Sequence, residues 1–311
     1  MLNTFSPAHQ LFMTDFSPAT PAPPVRYPSP PPALRLLRWQ LRILQAVAPV
    51  LAFRLAWRVF CTPQRLPVKA WETNVLDAAR RRLLPTPAGP VAVYEWGAAT
   101  APAVVLVHGW EHRVSFWHAW LAPLQAAGYR VVALDAPAHG ASPGRQLNLT
   151  QYGAAIQAVV DAAAAAGPVR ALVAHSFGGA AVAGVPVRLP GGTALPRLLL
   201  LSVPLNLRAV AQRFTDLLRL PASQITRMEA YIERLTGRPW GSFAPAVAGP
   251  TIGAEKVLLL HDETDAIVPF AEGQQIAAAW PGAALYATRS LGHNRILRDA
   301  GVVARAVAFL A

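Results

Sequence analysis

Ser176 has the neighbours that a nucleophilic serine requires. It directly follows the apolar run Arg170–His175 and is followed by small residues, in the sequence AHSFGG. A serine in a tight turn between a strand and a helix needs small residues two positions before and after it, because the turn brings those backbones together. Ala174 and Gly178 occupy these positions. The spacing predicts a serine at the end of a strand, available for acylation.

Acyl transfer by serine also needs a base, and an acid that orients the base. Asp265, in the sequence DETDAIVP, follows one predicted strand, and His293, in GHNRIL, follows the next. Parallel strands place their carboxyl ends at one edge of a sheet, so we expect the three side chains to meet there. Asp262 and Glu263 remain competing carboxylates for the role of the acid.

Two backbone amides are expected to stabilise the oxyanion that develops during such a reaction. One is the amide of Phe177, directly after the serine. The other is predicted at Trp110 in the loop HGWEH, where Gly109 would allow a sharp turn. His108 in this loop and His139 in DAPAHGAS are interpreted as structural braces.

The elements that must position these residues alternate regularly from residue 91 onward. Short apolar runs, typical of strands covered by helices on both faces, alternate with helical stretches. The predicted strands are 91–96, 103–108, 130–135, 170–175, 197–203, 256–261 and 284–288. The predicted helices are 116–127, 150–166 with Thr150 as its N-cap, a helix from 177, 272–280 and 294–310. The alternation predicts the α/β class, with a mostly parallel open sheet flanked by helices.

Composition divides the chain further. Residues 1–32 hold nine prolines and predict a disordered tail. Residues 33–90 predict a basic amphipathic helical extension, in which two short helices meet at Pro49. Residues 91–311 form the predicted sheet domain. Its insertion at about 204–255 contains helical sequence between two strands and predicts a small helical cap.

The net charge of +12 bears on the class of partner. Residues 1–90 hold 11 basic and 3 acidic residues, whereas residues 91–311 hold 17 and 13. Because the surplus is mainly N-terminal, the sheet domain is not expected to bind nucleic acid. The expected partner is a small-molecule substrate, with no cofactor and no metal. Nothing in the sequence predicts an oligomeric state.

Cys61 is the single cysteine of the 311 residues, so an intrachain disulfide or a cysteine-based metal site is excluded. A reducing compartment fits, and we expect a cytoplasmic protein without a secretory signal. The longest charge-free run in the apolar N-terminal region, Ile43 to Phe53, falls short of the ~20 residues that cross a bilayer.

The helical extension has two interpretations. Its many apolar residues favour packing against the protein, beside the cap and the mouth of the site. The alternative is peripheral contact with an anionic membrane. It rests on arginines with no acidic neighbour between residues 15 and 72, which are Arg35, Arg38, Arg42, Arg54 and Arg58.

The motifs HGW, DAPAHGAS, AHSFGG, HDETDAIVP and GHNRIL, in this order, resemble the α/β-hydrolase superfamily, and within it the bacterial esterase-like "α/β fold hydrolase" group. The resemblance spans roughly residues 91–311. It implies Ser176 as nucleophile, Asp265 as acid and His293 as base, with Trp110 and Phe177 as oxyanion donors. The implied activity is cleavage of a carboxylic ester of a small apolar substrate.

Two residues depart from the family's pattern. Ala174 replaces the first glycine of the serine motif, and Ala138 replaces a glycine in DAPAHGAS. Both are exchanges of small residues, so both turns are expected to form.

Other activities remain open at this stage. Thioesterases, lactonases, acyltransferases and cofactor-free haloperoxidases use the same three residues, and a non-catalytic binding protein is the alternative from a different class. Dehalogenases and epoxide hydrolases are excluded because they require an aspartate where Ser176 stands. Predicted substrate contacts are His112, Ile267, Leu205, Leu207 and Phe214, although ordinary packing between cap and sheet is an equal interpretation for the three last.

Overall fold

A computed structural model of the chain describes residues 31–311. Its centre is a sheet of eight strands. The strands are β1 (Arg80–Leu84), β2 (Val91–Trp96), β3 (Ala103–Val107), β4 (Arg130–Leu134), β5 (Val169–His175), β6 (Arg197–Leu201), β7 (Lys256–Asp262) and β8 (Ala283–Thr288). They lie in the order β1-β2-β4-β3-β5-β6-β7-β8.

The expected α/β class is confirmed. The pairs β1–β2 and β2–β4 are antiparallel, and the other five pairs are parallel. The strands β3 and β4 are buried along their whole length, as their apolar sequences require when helices cover both faces. Because β5, β6, β7 and β8 run in parallel, the loops that follow them open at one edge of the sheet.

Twelve α-helices surround the sheet in the described part of the chain. They are α1 (Pro32–Val47), α2 (Pro49–Phe60), α3 (Ala70–Asp77), α4 (His118–Ala126), α5 (Leu149–Ala166), α6 (Phe177–Gly184), α7 (Leu207–Leu218), α8 (Ser223–Thr236), α9 (Pro245–Ala248), α10 (Phe270–Ala279), α11 (Gly292–Arg295) and α12 (Ala300–Leu310). The helices α7, α8 and α9 lie between β6 and β7 and form the expected cap. Among these helices, none combines the length and hydropathy needed to cross a membrane.

The first strand corrects the helical interpretation of residues 33–90. Arg80–Leu84 is not helical but pairs with Val91–Trp96 across a turn closed by Thr86 and Gly89. Arg82 reaches Glu95 on the neighbouring strand at 3.4 Å. Arginines along an edge strand discourage pairing with other chains, which suits this position.

Two helix boundaries also differ from the expected ones. Asn148, not Thr150, caps α5, because its side chain accepts from the amide of Gln151 while the Gln151 side chain accepts from the Asn148 amide. The single helix expected over 294–310 is two helices, α11 and α12. Asp299 begins the second by accepting from the amide of Val302 at 2.9 Å.

The two N-terminal helices pack on the cap, as the favoured interpretation of the extension predicted. Leu41 of α1 is fully buried with Ala56 of α2 and Leu218 of α7. The ring of Phe60 meets the ring of Phe214 in α7 at 4.9 Å. The tail predicted over residues 1–32 lies outside the described residues up to residue 30, and Pro32 begins α1.

The outer face of α1 carries large exposed apolar residues, which are Leu36, Trp39, Ile43 and Val47. Apolar residues on one exposed face, flanked by arginines, are typical of helices that lie on membranes. Peripheral membrane contact therefore stays a prediction.

Because Leu41 of α1 is buried against the cap, α1 is expected to contribute to the stability of the fold. Leu41→Ala should lower the free energy of unfolding by about 2–5 kcal/mol, because it leaves a cavity between α1, α2 and α7. Leu36, which is 55% exposed on the same helix, supplies the matched control. Leu36→Ala should change stability by less than ~0.5 kcal/mol in urea denaturation. Equal effects of the two substitutions would contradict the packing of α1 on the cap.

Candidate active site

Ser176 occupies the sharp turn between β5 and α6. Its backbone has φ 52° and ψ −123°, a left-handed conformation that costs a residue with a Cβ about 1–2 kcal/mol. The turn forms with Ala174 at the first small position, as expected. It lifts the serine side chain out of the plane of the strand and keeps it partly exposed.

Two glycines make this turn possible by leaving space rather than by bending the chain. A Cβ on Gly178 would overlap the carbonyl oxygen of His108 and lie 2.9 Å from that of Val107. A Cβ on Gly109 would lie 2.9 Å from Nδ1 of His175 and 3.1 Å from Cβ of Ser176. The expected sharp turn at Gly109 is thus a close approach of two loops.

The structure brings Ser176, Asp265 and His293 together. His293 Nε2 lies 3.0 Å from Ser176 Oγ, and His293 Nδ1 lies 2.7 Å from Asp265 Oδ2. With the Nδ1 proton donated to the carboxylate, Nε2 of the neutral ring is free to accept the serine proton. Asp265 follows β7 and His293 lies on α11 after β8, so the two elements reach the serine from the same edge of the sheet.

Hydrogen bonds hold Asp265 as a carboxylate. Its Oδ1 accepts from the amides of Ile267 and Val268, both at 2.9 Å. Burial raises the pKa of Asp265, but the hydrogen bond from His293, the charge of that ring and these two amides outweigh burial and leave the pKa below its usual value. An ionised, buried acceptor orients the imidazole and stabilises its charged form.

The competing carboxylate Asp262 accepts hydrogen bonds from the two loops that flank it. Its Oδ1 accepts from the amide and hydroxyl of Thr264, and its Oδ2 accepts from the hydroxyl of Thr288 and the amide of Leu291. Burial raises the pKa of Asp262, yet these hydrogen bonds outweigh it and hold the pKa below its usual range. Asp262 therefore ties the loop that carries Asp265 to the loop that carries His293. Glu263, the other competitor, pairs with Arg289 at 2.9 Å.

The predicted oxyanion amides lie on facing loops. Phe177 begins α6, and its ring meets the ring of Trp110 edge to face, with centroids 5.4 Å apart. Within residues 31–311, neither amide donates to another protein group. Their role as oxyanion donors stays a prediction.

The loop after β4 braces the site. Asp135 accepts from the amides of Val114 and Ala141, and His108 Nε2 accepts from the amide of Ala136 at 2.9 Å. Alanine in place of glycine at position 138 strains the backbone, because Ala138 has a positive φ of 66°.

Arg65 offsets the strain at Ala138. Its guanidinium donates to the carbonyls of Ala138, Ser142 and Gly144 and ties the ends of this loop together. His139 packs against Trp110, with ring centroids 5.2 Å apart.

Two neutral imidazoles lie beside His293. His175 donates from Nε2 to the carbonyl oxygen of His293 at 3.0 Å, and its ring stacks on that of His112. Burial, with the nearby His293 and His112 rings, lowers the pKa of His175 well below its usual value. Burial and the His293 ring lower the pKa of His112 to about 3. Neither ring therefore adds positive charge beside the base at neutral pH.

An apolar slot of about 50 Å³ begins at Phe177. Among the predicted substrate contacts, Leu207 lines it, and Phe214 packs behind Phe60. Leu205 donates its amide to Glu272, Ile267 is about half exposed, and His112 lies in the histidine stack. As substrate contacts, all five stay predictions.

The sequence did not identify most of the slot. Its walls come from α2, from the start of α5, from α8 and from residues 240–243, through side chains that include Trp57, Phe60, Ile232, Trp240 and Phe243. In the sequence these are ordinary apolar residues, and only the expectation that the extension lies beside the cap pointed towards them.

Substitutions of the two neighbouring aspartates test which of them orients His293. Asp265→Asn should lower kcat for ester hydrolysis by about three to four orders of magnitude, because the amide cannot stabilise the charged imidazole. Asp262→Asn should affect kcat much less and stability more, because it disturbs two loops. The reverse ranking in kcat would assign the acid to Asp262.

The stability of the protein at acidic pH also tests the structural role of Asp262. A folded-state pKa below the ordinary value means that Asp262 adds stability above about pH 4, which is lost as the pH falls through the lowered pKa. The difference in unfolding free energy between the unaltered chain and Asp262→Asn should therefore narrow below about pH 4. Urea titrations at a series of pH values would measure it, and a constant difference would contradict the ionised loop brace.

Comparison with known proteins identifies relatives of this chain and its family. The chain is 32% identical over 155 residues to the esterase PIR7B of Oryza sativa subsp. japonica, covering 49% of this chain and 58% of that protein. It is 32% identical over 114 residues to the bifunctional esterase/perhydrolase DCH of Acinetobacter calcoaceticus, covering 35% and 40%. The matches thus span from less than half to somewhat over half of the length of these relatives.

The fold is similar to that of the Pyrococcus furiosus esterase Pf2001, with a TM-score of 0.59 and 18% identity over 80% of this chain and 98% of that one. Residues 104–306 match the model of the "Alpha/beta hydrolase family". Since this match covers well over half of the sequence, and the sheet and turn have the geometry described above, the chain belongs to the alpha/beta hydrolase family.

Proposed function

We propose that the protein is a serine hydrolase that cleaves a carboxylic ester through an acyl-enzyme formed on Ser176. The observation that carries the proposal is the pair of contacts of one ring, with His293 Nε2 at 3.0 Å from Ser176 Oγ and Nδ1 at 2.7 Å from Asp265. Esterases among the relatives support ester hydrolysis in general.

The proposed reaction has two halves. His293 takes the proton of Ser176 as Oγ attacks the ester carbonyl, and the amides of Phe177 and Trp110 hold the oxyanion. His293 then gives the proton to the departing alcohol, and the acyl group stays on Ser176. In the second half water attacks the acyl group, its proton passes to His293, and the acid leaves as Ser176 regains its proton.

The slot supports a small apolar acyl group. Its lining is almost wholly apolar and includes Phe177, so it suits an apolar acyl group better than a polar one. Trp57 and Phe60 of the N-terminal extension close it, so the extension contributes to selectivity. Thioesters and lactones of similar size offer the same carbonyl to the serine, and a substrate panel should include them.

Covalent labelling tests the nucleophile. A fluorophosphonate should modify Ser176, as mapped by mass spectrometry, and Ser176→Ala should abolish turnover while leaving the melting temperature near that of the unaltered chain. Ser202 is the matched control, since it follows β6 as Ser176 follows β5 and also has a positive φ, but is buried. Ser202→Ala should keep activity and labelling. Full hydrolysis by Ser176→Ala would refute the proposal.

Enlarging the slot tests the acyl site. Phe60→Ala removes one wall and should shift the optimum of kcat/KM along a series of p-nitrophenyl esters towards longer acyl chains. Phe309→Ala, which opens space on the other face of the sheet, should leave the optimum unchanged. An unchanged profile in Phe60→Ala would place the acyl group elsewhere.

A further inference from the structure

A groove of about 1200 Å³ lies between α2, α8 and the loop after β4. Among the described residues, six arginines and no aspartate or glutamate line it. The arginines are Arg54, Arg58, Arg65, Arg145, Arg227 and Arg234. None of the six lies within ion-pair distance of a carboxylate in residues 31–311.

Nineteen other arginines lie elsewhere in residues 31–311. Seven of them pair with carboxylates, namely Arg80, Arg82, Arg113, Arg130, Arg208, Arg213 and Arg289. The other twelve have no carboxylate within ion-pair distance in this part of the chain, so the groove differs in gathering six unpaired arginines around one recess. The groove concentrates positive charge that the protein leaves without a counter-charge.

Only two of the six guanidinium groups have partners within the described chain. Arg65 donates to the loop after β4, and Arg227 donates to the carbonyl of Pro49 at 3.1 Å. The side chains of the other four, Arg54, Arg58, Arg145 and Arg234, donate no hydrogen bond to residues 31–311. Their planar donor sets are available to an oxyanion, which guanidinium groups bind in pairs of hydrogen bonds.

Helix geometry directs these groups into one recess. Arg54 and Arg58 are one turn apart on α2, and Arg227 and Arg234 are two turns apart on α8. Between the two helices the rings of Trp57 and Tyr231 meet at 4.9 Å. The groove thus combines a partly exposed aromatic floor with cationic walls.

We infer that this groove binds a small organic phosphate with at least two negative charges, whose apolar part contacts Trp57 and Tyr231. A recess of this size fits a small molecule, whereas a flat bilayer would touch its rim and not its floor. The exposed apolar residues of α1 do not line the groove. The phosphate belongs either to the substrate or to a separate effector. Trp57 also lines the acyl slot, so in both cases the ligand contacts a wall of the proposed substrate site.

Calorimetric titration of the full chain with inorganic pyrophosphate tests the groove. Arg54→Gln/Arg234→Gln should weaken the Kd about tenfold or more, because two charge-assisted donors are lost. The matched control is Arg170→Gln/Arg298→Gln, which removes the same charge from two exposed arginines outside the groove. It should leave the Kd unchanged. No binding of pyrophosphate, or equal weakening in both variants, would overturn the inference.

Two thioesters distinguish the sources of the phosphate. If the phosphate is part of the substrate, the groove variant should lose about tenfold or more in kcat/KM for acetyl coenzyme A and none for neutral phenyl thioacetate. If the phosphate is a separate effector, the variant should treat both thioesters alike while pyrophosphate binding is still lost. If the protein hydrolyses no ester but still binds pyrophosphate, the proposed function is refuted and the inference that the groove binds phosphate stands.

Binding to anionic vesicles tests the competing explanation, which is that the groove contacts a membrane. Anionic phosphatidylglycerol vesicles should sediment the groove variant and the control variant alike. Loss of vesicle binding in the groove variant alone, together with no pyrophosphate binding by the unaltered chain, would make this face a membrane contact and overturn the inference.

Discussion

Backbone contact between the turn at Ser176 and the end of β3 is the constraint on which the rest of the site depends. In the parallel register Val107 lies opposite Ala174, so the two strands end at the same height. Gly178 then packs on the carbonyl oxygens of Val107 and His108, with no room for a side chain. This contact holds the turn at Ser176 against the loop that follows β3 and carries Trp110. In the proposed reaction, a looser junction would separate Ser176 from the amides proposed to hold the oxyanion.

Hydrogen bonds give the two neighbouring aspartates of the site different roles. Asp265 and Asp262 stand only three residues apart and both have lowered pKa values, yet one contacts His293 and the other contacts loop amides and hydroxyls. The nearby His112 and His175 are kept neutral by burial. Asp265 is therefore the carboxylate that contacts His293, and the neighbouring His112 and His175 rings add no positive charge beside that pair at neutral pH.

The N-terminal helices serve more than one purpose. Their inner face packs on the cap through Leu41, and Trp57 and Phe60 close the slot at Phe177. On the groove side, α2 carries Arg54 and Arg58. The helix α2 thus joins the buried cluster of Leu41 through Ala56, lines the slot and adds charge to the neighbouring groove. In the proposed function, a change on one face of α2 would alter selectivity without touching the three residues of the proposed catalytic centre.

From the sequence alone, seven of the eight strands and the meeting of Ser176, Asp265 and His293 could be predicted, because apolar runs identify parallel strands and parallel strands share an edge. It misplaced features that depend on local competition, such as the cap at Asn148 and the strand at Arg80–Leu84. The walls of the slot and of the groove follow from tertiary packing instead. The slot joins Trp57 to Phe177 and Ile232, residues far apart in the chain, and the groove gathers arginines from two helices and a loop. No local pattern encodes such meetings, since they arise from the way α2 packs against α8.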